Sequence, residues 1–377
     1  MKPVIDPRFE PLLRAIGGEA ARAGLEAYAV GGCVRDWALG RSTADIDIMC
    51  GGDCSPLARF CAEKYGAETE SFGRFCTCRA KFPDGLKLDF ARSRRETYSR
   101  PAALPDVSPA EPREDLVRRD FSANAAAISL SPDSFGELLD PHCAMCAIGA
   151  GMLRVLHDRS FIDDPTRLFR AVRFASRFGW TLDPRTGKLF FEAVRDKLPS
   201  LLSRERIRTE LLKILSESEP ARAFALLEGS GLVNFIWKGL VWNEAASFAG
   251  TACERLAVLA AGRGPEAGEF LKSLKLERTV SRELLGALAV AESGLSPDKG
   301  LTESQKRIIR AIRPNLPEAA LHPLFVSGAD VLAAGFGGKD VARMLKEMAR
   351  RQFAGEIPDR PAALAALAAA RRPPSAS

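Results

Sequence analysis

The spacing of apolar residues changes character partway along this chain. Across residues 1–140, "EAYAVGG", "ADIDIMC", "FCTCRAKF" and "LKLDFARS" alternate apolar with polar positions and are rich in β-branched or aromatic residues. Such period-two runs predict strands with one face turned to a core. Between the first two, residues 33–39 read as the opening of a helix. Residues 101–112, "PAALPDVSPAEP", predict a loop, because each proline removes a backbone donor.

From Phe161 onward the period lengthens. "DDPTRLFRAVRFASRFG", "SRERIRTELLKILSE", "PARAFALLEGSG", "SRELLGALAVAESG" and "GKDVARMLKEMARRQFAG" carry helical spacing with helix start and stop residues. The predicted fold is an α+β head, a small mixed sheet with helices, followed by an all-α remainder. No repeat of fixed period is present. The last stretch, "ALAALAAARRPPSAS", is expected to end in a disordered tag.

Composition narrows the class only a little. The 377 residues, 46% hydrophobic and 27% charged, suit an ordinary soluble protein with more than one core. A net charge of +6 leans toward an acidic partner such as RNA without deciding for one. The start, "MKPVIDPRFEPLLRA", lacks the pattern of a secretory signal, and no apolar run approaches the roughly 20 residues that span a bilayer. Nine scattered cysteines predict reduced thiols and a cytoplasmic setting. "HCAMC" (His142, Cys143, Cys146) looks like half a metal site, but no second CxxC or paired histidine completes it. With three histidines in all, histidine-cluster phosphohydrolases and histidine acid–base chemistry are disfavoured.

The densest chemistry lies in "YAVGGCVRDWALGRSTADIDIM", residues 28–49. Asp45 and Asp47 are two apart on a predicted strand, so both carboxylates share a face about 6.5–7 Å apart, and Ile46 and Ile48 face the core. Side-by-side carboxylates repel unless a cation lies between them, and hard oxygen ligands suit Mg²⁺. The plainer reading is a pair of surface acids. Gly31 and Gly32 fall between strand and helix, where N–H groups and the helix dipole favour phosphate, and Arg35 follows within reach of the same anion. No G-K-[ST] follows, so this is not a Walker A loop. Asp36, beside Arg35, suits an ion-pair role at least as well as catalysis. "LKLDF" adds Asp89, a candidate metal ligand or general base, or simply a solvent-facing acid.

These residues resemble the class II tRNA nucleotidyltransferase and bacterial poly(A) polymerase family, a branch of the polymerase-β-type nucleotidyltransferases. The matching segments are "GGCVRD…LGRSTADID", "DLVRRDFSANAAAISL", "DDPTRLFRAVRFASRFG", "SRERIRTELLKIL" and, more weakly, "SGADVLAAGFGGKDVARMLKEM". They are collinear and cover most of the chain, with residues 216–320 the least distinctive. The resemblance implies a nucleotidyltransferase head over residues 1–140 and a neck with the base-selecting helix over 141–217. A helical body over 218–295 and a helical tail over 296–377 would follow.

The implied activity is Mg²⁺-dependent, template-independent addition of CMP and AMP to the 3′ end of tRNA. The partners are tRNA, CTP and ATP, with no membrane and no protein partner implied. Asp45 and Asp47 would hold metal, with Asp89 as the third catalytic carboxylate. Gly31, Gly32 and Arg35 would meet the triphosphate. Arg119 and Asp120 of "RRDFSAN" would contact the nucleotide, Asp120 through the ribose 2′-OH. Ser122 stands where the family usually has threonine.

In "DDPTRLFRAVRF", Pro165 suits the first helical position, Asp164 the N-cap and Gly179 the stop. Arg167, Arg170, Arg173 and Arg177 form one stripe, which by spacing alone is a solvated face. The resemblance instead makes Asp164 and Arg167 a protein template for the incoming base, with Arg170 and Arg173 beside it. Arginine donates to cytosine N3 or O2 or adenine N1, and aspartate accepts from the exocyclic amine. Uracil and guanine present the reverse pattern, leaving buried groups unsatisfied at about 1–3 kcal/mol each. Asp163 replaces the family's usual glutamate. Glu205 and Arg206 of the neck are expected to brace the template helix. Alternatives are an A-adding or CC-adding enzyme, a poly(A) polymerase, and an inactive RNA-binding protein on this scaffold. The switch from C to A is expected to depend on a flexible loop within residues 92–112.

Overall fold

The period-two segments of the first half join one seven-stranded sheet in the computed structural model, which describes residues 3–72 and 77–371. Helix α1 (Glu10–Arg22) precedes β1 (Ala27–Val30), α2 (Gly32–Ala38), β2 (Asp45–Cys50) and α3 (Ser55–Tyr65). Strands β3 (Glu68–Phe72), β4 (Thr77–Lys81), β5 (Lys87–Arg92), β6 (Arg94–Thr97) and β7 (Asp106–Pro109) come next. Helix α4 (Pro112–Val117), β8 (Ala127–Ser129), β9 (Leu138–Leu139), α5 (Ala144–Gly149) and β10 (Met152–Leu153) follow. The first unit, Met1–Leu202, closes with α6 (Ser160–Asp163), α7 (Thr166–Phe178), β11 (Thr181–Leu182) and α8 (Pro184–Arg195).

The main sheet runs β3-β4-β5-β2-β1-β8-β9, with β2 and β5 parallel and the other pairs antiparallel. On β2, Ile46 and Ile48 are buried and Asp45 and Asp47 are exposed, the alternation that a half-buried strand requires. The buried side packs with Leu88 and Phe90 of β5 and with Leu13, Ile16 and Leu57 of α1 and α3. Close approach is specified at Gly17, where a Cβ would sit 1.7 Å from the Leu130 carbonyl oxygen. Only glycine lets α1 lie against that backbone.

Two features depart from the sequence expectation. Residues 101–112 are not all loop, since β7 pairs with β6 from Thr97↔Asp106 to Arg94↔Pro109. Pro109 is tolerated because it ends the ladder. This expected flexible segment is built into its surroundings: Arg94 N–H donates to Asp115 Oδ1 (3.1 Å), Arg118 pairs with Glu96 (3.0 Å) and Ala102 N–H donates to the Ile162 carbonyl (3.4 Å). Strand β3 carries no burial alternation, every position being exposed, so period alone does not reveal it. In "FCTCRAKF" the strand covers Thr77–Lys81, and Phe75 and Cys76 lie outside the described residues.

The second unit, Ser203–Ser377, is helical. Its helices are α9 (Arg204–Leu215), α10 (Pro220–Gly229), α11 (Val233–Ile236), α12 (Ala252–Ala261) and α13 (Ala267–Ser273). Then come α14 (Arg278–Ser293), α15 (Glu303–Ile312), α16 (Gly328–Ala333), α17 (Lys339–Phe353) and α18 (Arg360–Ala370). Helix α12 packs against α9, α14 and α15. Its fully buried Glu254 takes Arg307, with Nη2 donating to Oε1 at 2.7 Å. In this unit Ser203 caps α9 and Glu205 pairs with Lys275 at 2.7 Å. The alanine-rich end is helical through Ala370, and the expected disordered tag, residues 372–377, lies outside the described residues. Among the described residues no helix is long and apolar enough to cross a membrane.

Candidate active site

The two carboxylates of β2 sit at the open face of the sheet. Asp47 is the direct register partner of Val30 on one side and of Asp89 on the other, so Asp47 and Asp89 are one strand spacing apart. A cavity of about 390 Å³ opens there, lined among others by Asp47, Asp89, Arg79, Asp115, Arg118 and Arg119. Desolvation by the cavity wall raises Asp47 above the usual carboxylate range. The Asp89 and Asp45 charges add to that shift, and Arg119 only partly offsets it. Such crowding is relieved by a cation.

Among the described residues no three His, Cys, Asp or Glu side chains converge as a closed metal cage. A hard divalent ion that keeps several waters needs only one or two carboxylates plus substrate phosphate. Asp45 and Asp47 fit that requirement. Asp89 does not yet join them. Arg79 holds it in a two-pronged pair, Nε to Oδ1 at 2.7 Å and Nη2 to Oδ2 at 2.9 Å.

One glycine of the turn, Gly31, has its donor engaged within the protein. Gly31 has φ +77°, and its N–H donates to the Ala126 carbonyl at 3.2 Å, so that group is not available to phosphate. What Gly31 supplies is space. A Cβ there would lie 2.6 Å from Arg119 Nη1 and 3.7 Å from Asp47 Oδ2. Arg119 therefore rests against the turn, beside the carboxylates. Its Nη2 donates to Asp115 Oδ2 at 3.0 Å, while Arg118 Nη2 donates to Asp115 Oδ1 at 2.7 Å. Burial alone would raise the Asp115 carboxyl, but Arg119 and Arg118 outweigh it and hold it below the usual range.

Behind the pocket lies a buried network that the sequence expectation distributes differently. Arg35, expected at the triphosphate, is 4% exposed. Its Nε donates to Asp36 Oδ1 (2.9 Å), its Nη1 to Asn124 Oδ1 (2.6 Å), and its guanidinium lies 4.7 Å from the Phe178 ring centroid. Asp120, expected at the ribose, is likewise buried with both oxygens engaged. Oδ1 accepts from Phe121 N–H and Asn124 Nδ2 (both 2.8 Å), and Oδ2 accepts from Arg170 Nε (2.7 Å). Burial opposes this charge, yet Arg170 and Asn124 hold Asp120 well below the usual carboxylate range. Arg35, Asp120 and Arg170 thus form one network through Asn124, a wall next in the chain to pocket-lining Arg119.

The arginine stripe of α7 is not solvated. Arg167 and Arg173 are buried, and only Arg177 of the four is exposed. Arg167 Nη1 donates to Ser160 Oγ and Nη2 to the Arg118 carbonyl, both at 2.7 Å. Arg173 lies 4.5 Å from the centroid of the Phe174 ring. Half-buried Asp164 accepts from Thr166 N–H (3.0 Å) and Thr166 Oγ1 (2.6 Å), and Gly179 ends the helix at φ +72°.

Four further residues organise the site. Asp115 anchors both arginines, Asn124 joins Arg35 to Asp120, Glu96 holds Arg94 and Arg118, and Arg79 holds Asp89. Of these, Asp115 was readable from its i,i+4 spacing to Arg119.

The poly(A) polymerase head domain family matches residues 27–154, and a family described as a probable RNA and SrmB-binding site of polymerase A matches residues 190–242. An A-adding tRNA nucleotidyltransferase of Geobacter sulfurreducens is 40% identical over 230 residues, covering 61% of this chain and 26% of that protein. The chain spans 26–57% of the length of three A-adding relatives. A CC-adding tRNA nucleotidyltransferase of Deinococcus radiodurans is 32% identical over 337 residues, covering 87% of this chain and 85% of that one. Among solved structures, a tRNA-processing enzyme in its apo form I matches with a TM-score of 0.67 and 27% identity, covering 94% of this chain and all of that one. With a carboxylate pair on a mixed-sheet head, a helical remainder and a relative matched nearly end to end, this chain belongs to the tRNA nucleotidyltransferase family.

Proposed function

We propose that this protein adds CMP and AMP to the 3′ end of tRNA without a nucleic-acid template. The terminal 3′-hydroxyl attacks the nucleotide α-phosphate, and pyrophosphate leaves. The observation that carries this reading is the placement of Asp45, Asp47 and Asp89 on adjacent strands at one face, with Arg119 seated beside them against Gly31. Asp45 and Asp47 are assigned to Mg²⁺, which when bound neutralises triphosphate charge and favours the alkoxide form of the attacking hydroxyl. Arg119 is assigned to the triphosphate, Gly32 to its approach, and Asp89, once exchanged from Arg79, to the proton of the attacking hydroxyl.

Base choice is assigned to Asp164 and Arg167. A cytosine or adenine edge would compete with Ser160 and the Arg118 carbonyl for the Arg167 donors. A second reading, addition of AMP alone, is favoured by one observation: the A-adding relative is 40% identical over its matched region, against 32% for the CC-adding one. Purified protein is incubated with labelled CTP or ATP and with tRNA that lacks its 3′ CCA or ends in CC. Incorporation of both nucleotides supports the first reading, and ATP alone onto tRNA ending in CC supports the second. No incorporation in any combination overturns both.

A further inference from the structure

We infer that Cys143 and Cys146 form a reversible disulfide, a modification site on the first unit outside the nucleotide pocket. These two are the exposed cysteines among the described residues; Cys33, Cys50, Cys54, Cys61 and Cys78 are buried and Cys253 is half-buried. Cys143 occupies the N-cap of α5 and Cys146 the third position of that helix. An N-cap side chain ordinarily reaches back over the third residue to accept its backbone N–H.

Here Asp140 takes the first two donors of the helix, Oδ1 accepting from Ala144 N–H at 2.6 Å and Oδ2 from Met145 N–H at 3.1 Å. Cys143 makes no capping bond, and Ala147 N–H donates to its carbonyl at 3.1 Å, so Cys143 and Cys146 share one helical turn. Cys143 has φ +50°, a left-handed backbone that disfavours any residue with a Cβ. A strained, exposed cysteine one helical turn from a second exposed cysteine is arranged for S–S closure, because that spacing keeps the α-carbons within disulfide range.

The oxidation balances with a peroxide as oxidant. One thiolate takes the terminal oxygen of hydrogen peroxide, releasing water and leaving a sulfenic acid. The second thiol then displaces a second water, joining sulfur to sulfur, so two thiols lose two electrons and two protons. Closing the bond fixes the sulfurs at about 2.05 Å and so constrains the first turn of α5. Helix α5 packs on α2 and on the Ser122–Asn124 turn, which carries the Asn124 link between Arg35 and Asp120. Movement of α5 therefore loads the site wall, and transfer activity should fall; this last consequence rests on the function proposed above.

The test uses the full chain, treated with stoichiometric hydrogen peroxide, alkylated, cleaved with trypsin and weighed. The peptide of residues 120–154, in which Cys143 and Cys146 are the only cysteines, should be two hydrogens lighter and unalkylated, and dithiothreitol should restore both alkylation sites. Independent alkylation of both cysteines, oxidation only to sulfinic acid, or a bond between chains overturns the site. Cys146→Ser should abolish the closed form, and Cys143→Ser serves if that variant misfolds. Nucleotide incorporation by oxidised wild type should drop by about threefold to tenfold. It should recover on reduction, with Cys146→Ser keeping basal activity and ignoring peroxide. A disulfide with unchanged incorporation overturns the coupling to the site wall. A protein inactive in both redox states speaks against the proposed function alone, because mass detection of the bond needs no activity.

Discussion

Replacing Asp47 with asparagine should stabilise the metal-free protein while abolishing nucleotide incorporation. The side chain keeps its shape and loses its charge. Asp47 and Asp89 are register partners on adjacent strands, so two like charges face each other across about 5 Å. At an effective dielectric of about 20 they repel by about 3 kcal/mol. Arg79 clamps Asp89, Arg119 lies beside Asp47, and the face is open to water, so most of that repulsion is offset or screened. A gain of about 1 kcal/mol is expected at pH 7, a rise in melting temperature of about 2–4 °C for a unit of this size.

The pH dependence fixes the sign. Asp47 titrates above its unfolded value, so the folded state holds this proton more tightly than the unfolded chain. The penalty is absent below about pH 4 and complete once the pH passes the raised folded value. The advantage of Asp47→Asn should accordingly vanish near pH 4. Added Mg²⁺ at ten times its dissociation constant should stabilise wild type by about 1.4 kcal/mol and the variant by much less. Thermal melts in chelator and in Mg²⁺, at both pH values, read all three effects. A variant that melts below wild type in chelator at pH 7, or that gains as much from Mg²⁺, would refute the assignment of Asp47 as a crowded metal-binding carboxylate.

Gly31→Ala places a Cβ at positive φ against the Arg119 guanidinium, so stability should fall by about 1–2 kcal/mol. Its KM for nucleotide should rise more than its kcat falls, as steady-state incorporation would show. Asp120→Ala strands Arg170 and should cost about 3 kcal/mol by urea unfolding. Because the folded Asp120 carboxyl lies well below its unfolded value, its stabilisation is complete above about pH 4 and is lost as the pH falls further. Asp120→Asn should therefore lose less stability than wild type over that acid range. Arg79→Ala frees Asp89 next to the metal pair, so Mn²⁺ titration without tRNA should show tighter binding, by about tenfold; unchanged affinity would mean that Arg79 does not restrain Asp89.

The sheet and its carboxylate pair were legible because burial on β2 follows period two, and both aspartates fall on the same parity. Helix α7 was legible from its stop at Gly179 and, one residue early, from its start, since Pro165 takes the N-cap expected of Asp164 and Thr166 is the first helical residue. The environment of its arginines was not. Spacing alone predicts a solvated stripe, whereas Arg167 finds its acceptor on the Arg118 carbonyl and Arg170 finds Asp120, each about fifty positions away. Arg79 and Asp89 meet only because β4 and β5 pair in one particular register. A one-residue slip would have sent them to opposite faces. The 101–112 strand was missed because its prolines argue against a ladder, and only the end of that ladder accepts one.

The distribution of paired and unpaired acids connects these findings. Asp115 and Asp120 are buried, each is held by arginine, and each is more acidic than in the unfolded chain, so each contributes stability at neutral pH. Asp47, which lines the same cavity as Asp115, is shifted the opposite way. Arg119 could quench it by leaving Asp115, but Asp115 draws that guanidinium from the other side, and Arg79 is drawn off by Asp89. The arginines that line the pocket are thus restrained by acids other than the Asp45–Asp47 pair. A sequence under selection for stability alone would not keep two like charges at the mouth of a basic cavity with their counter-ions committed elsewhere. Under the proposed function this local conflict is what an external cation would relieve, and it confines the instability to the one face assigned to that cation and the triphosphate.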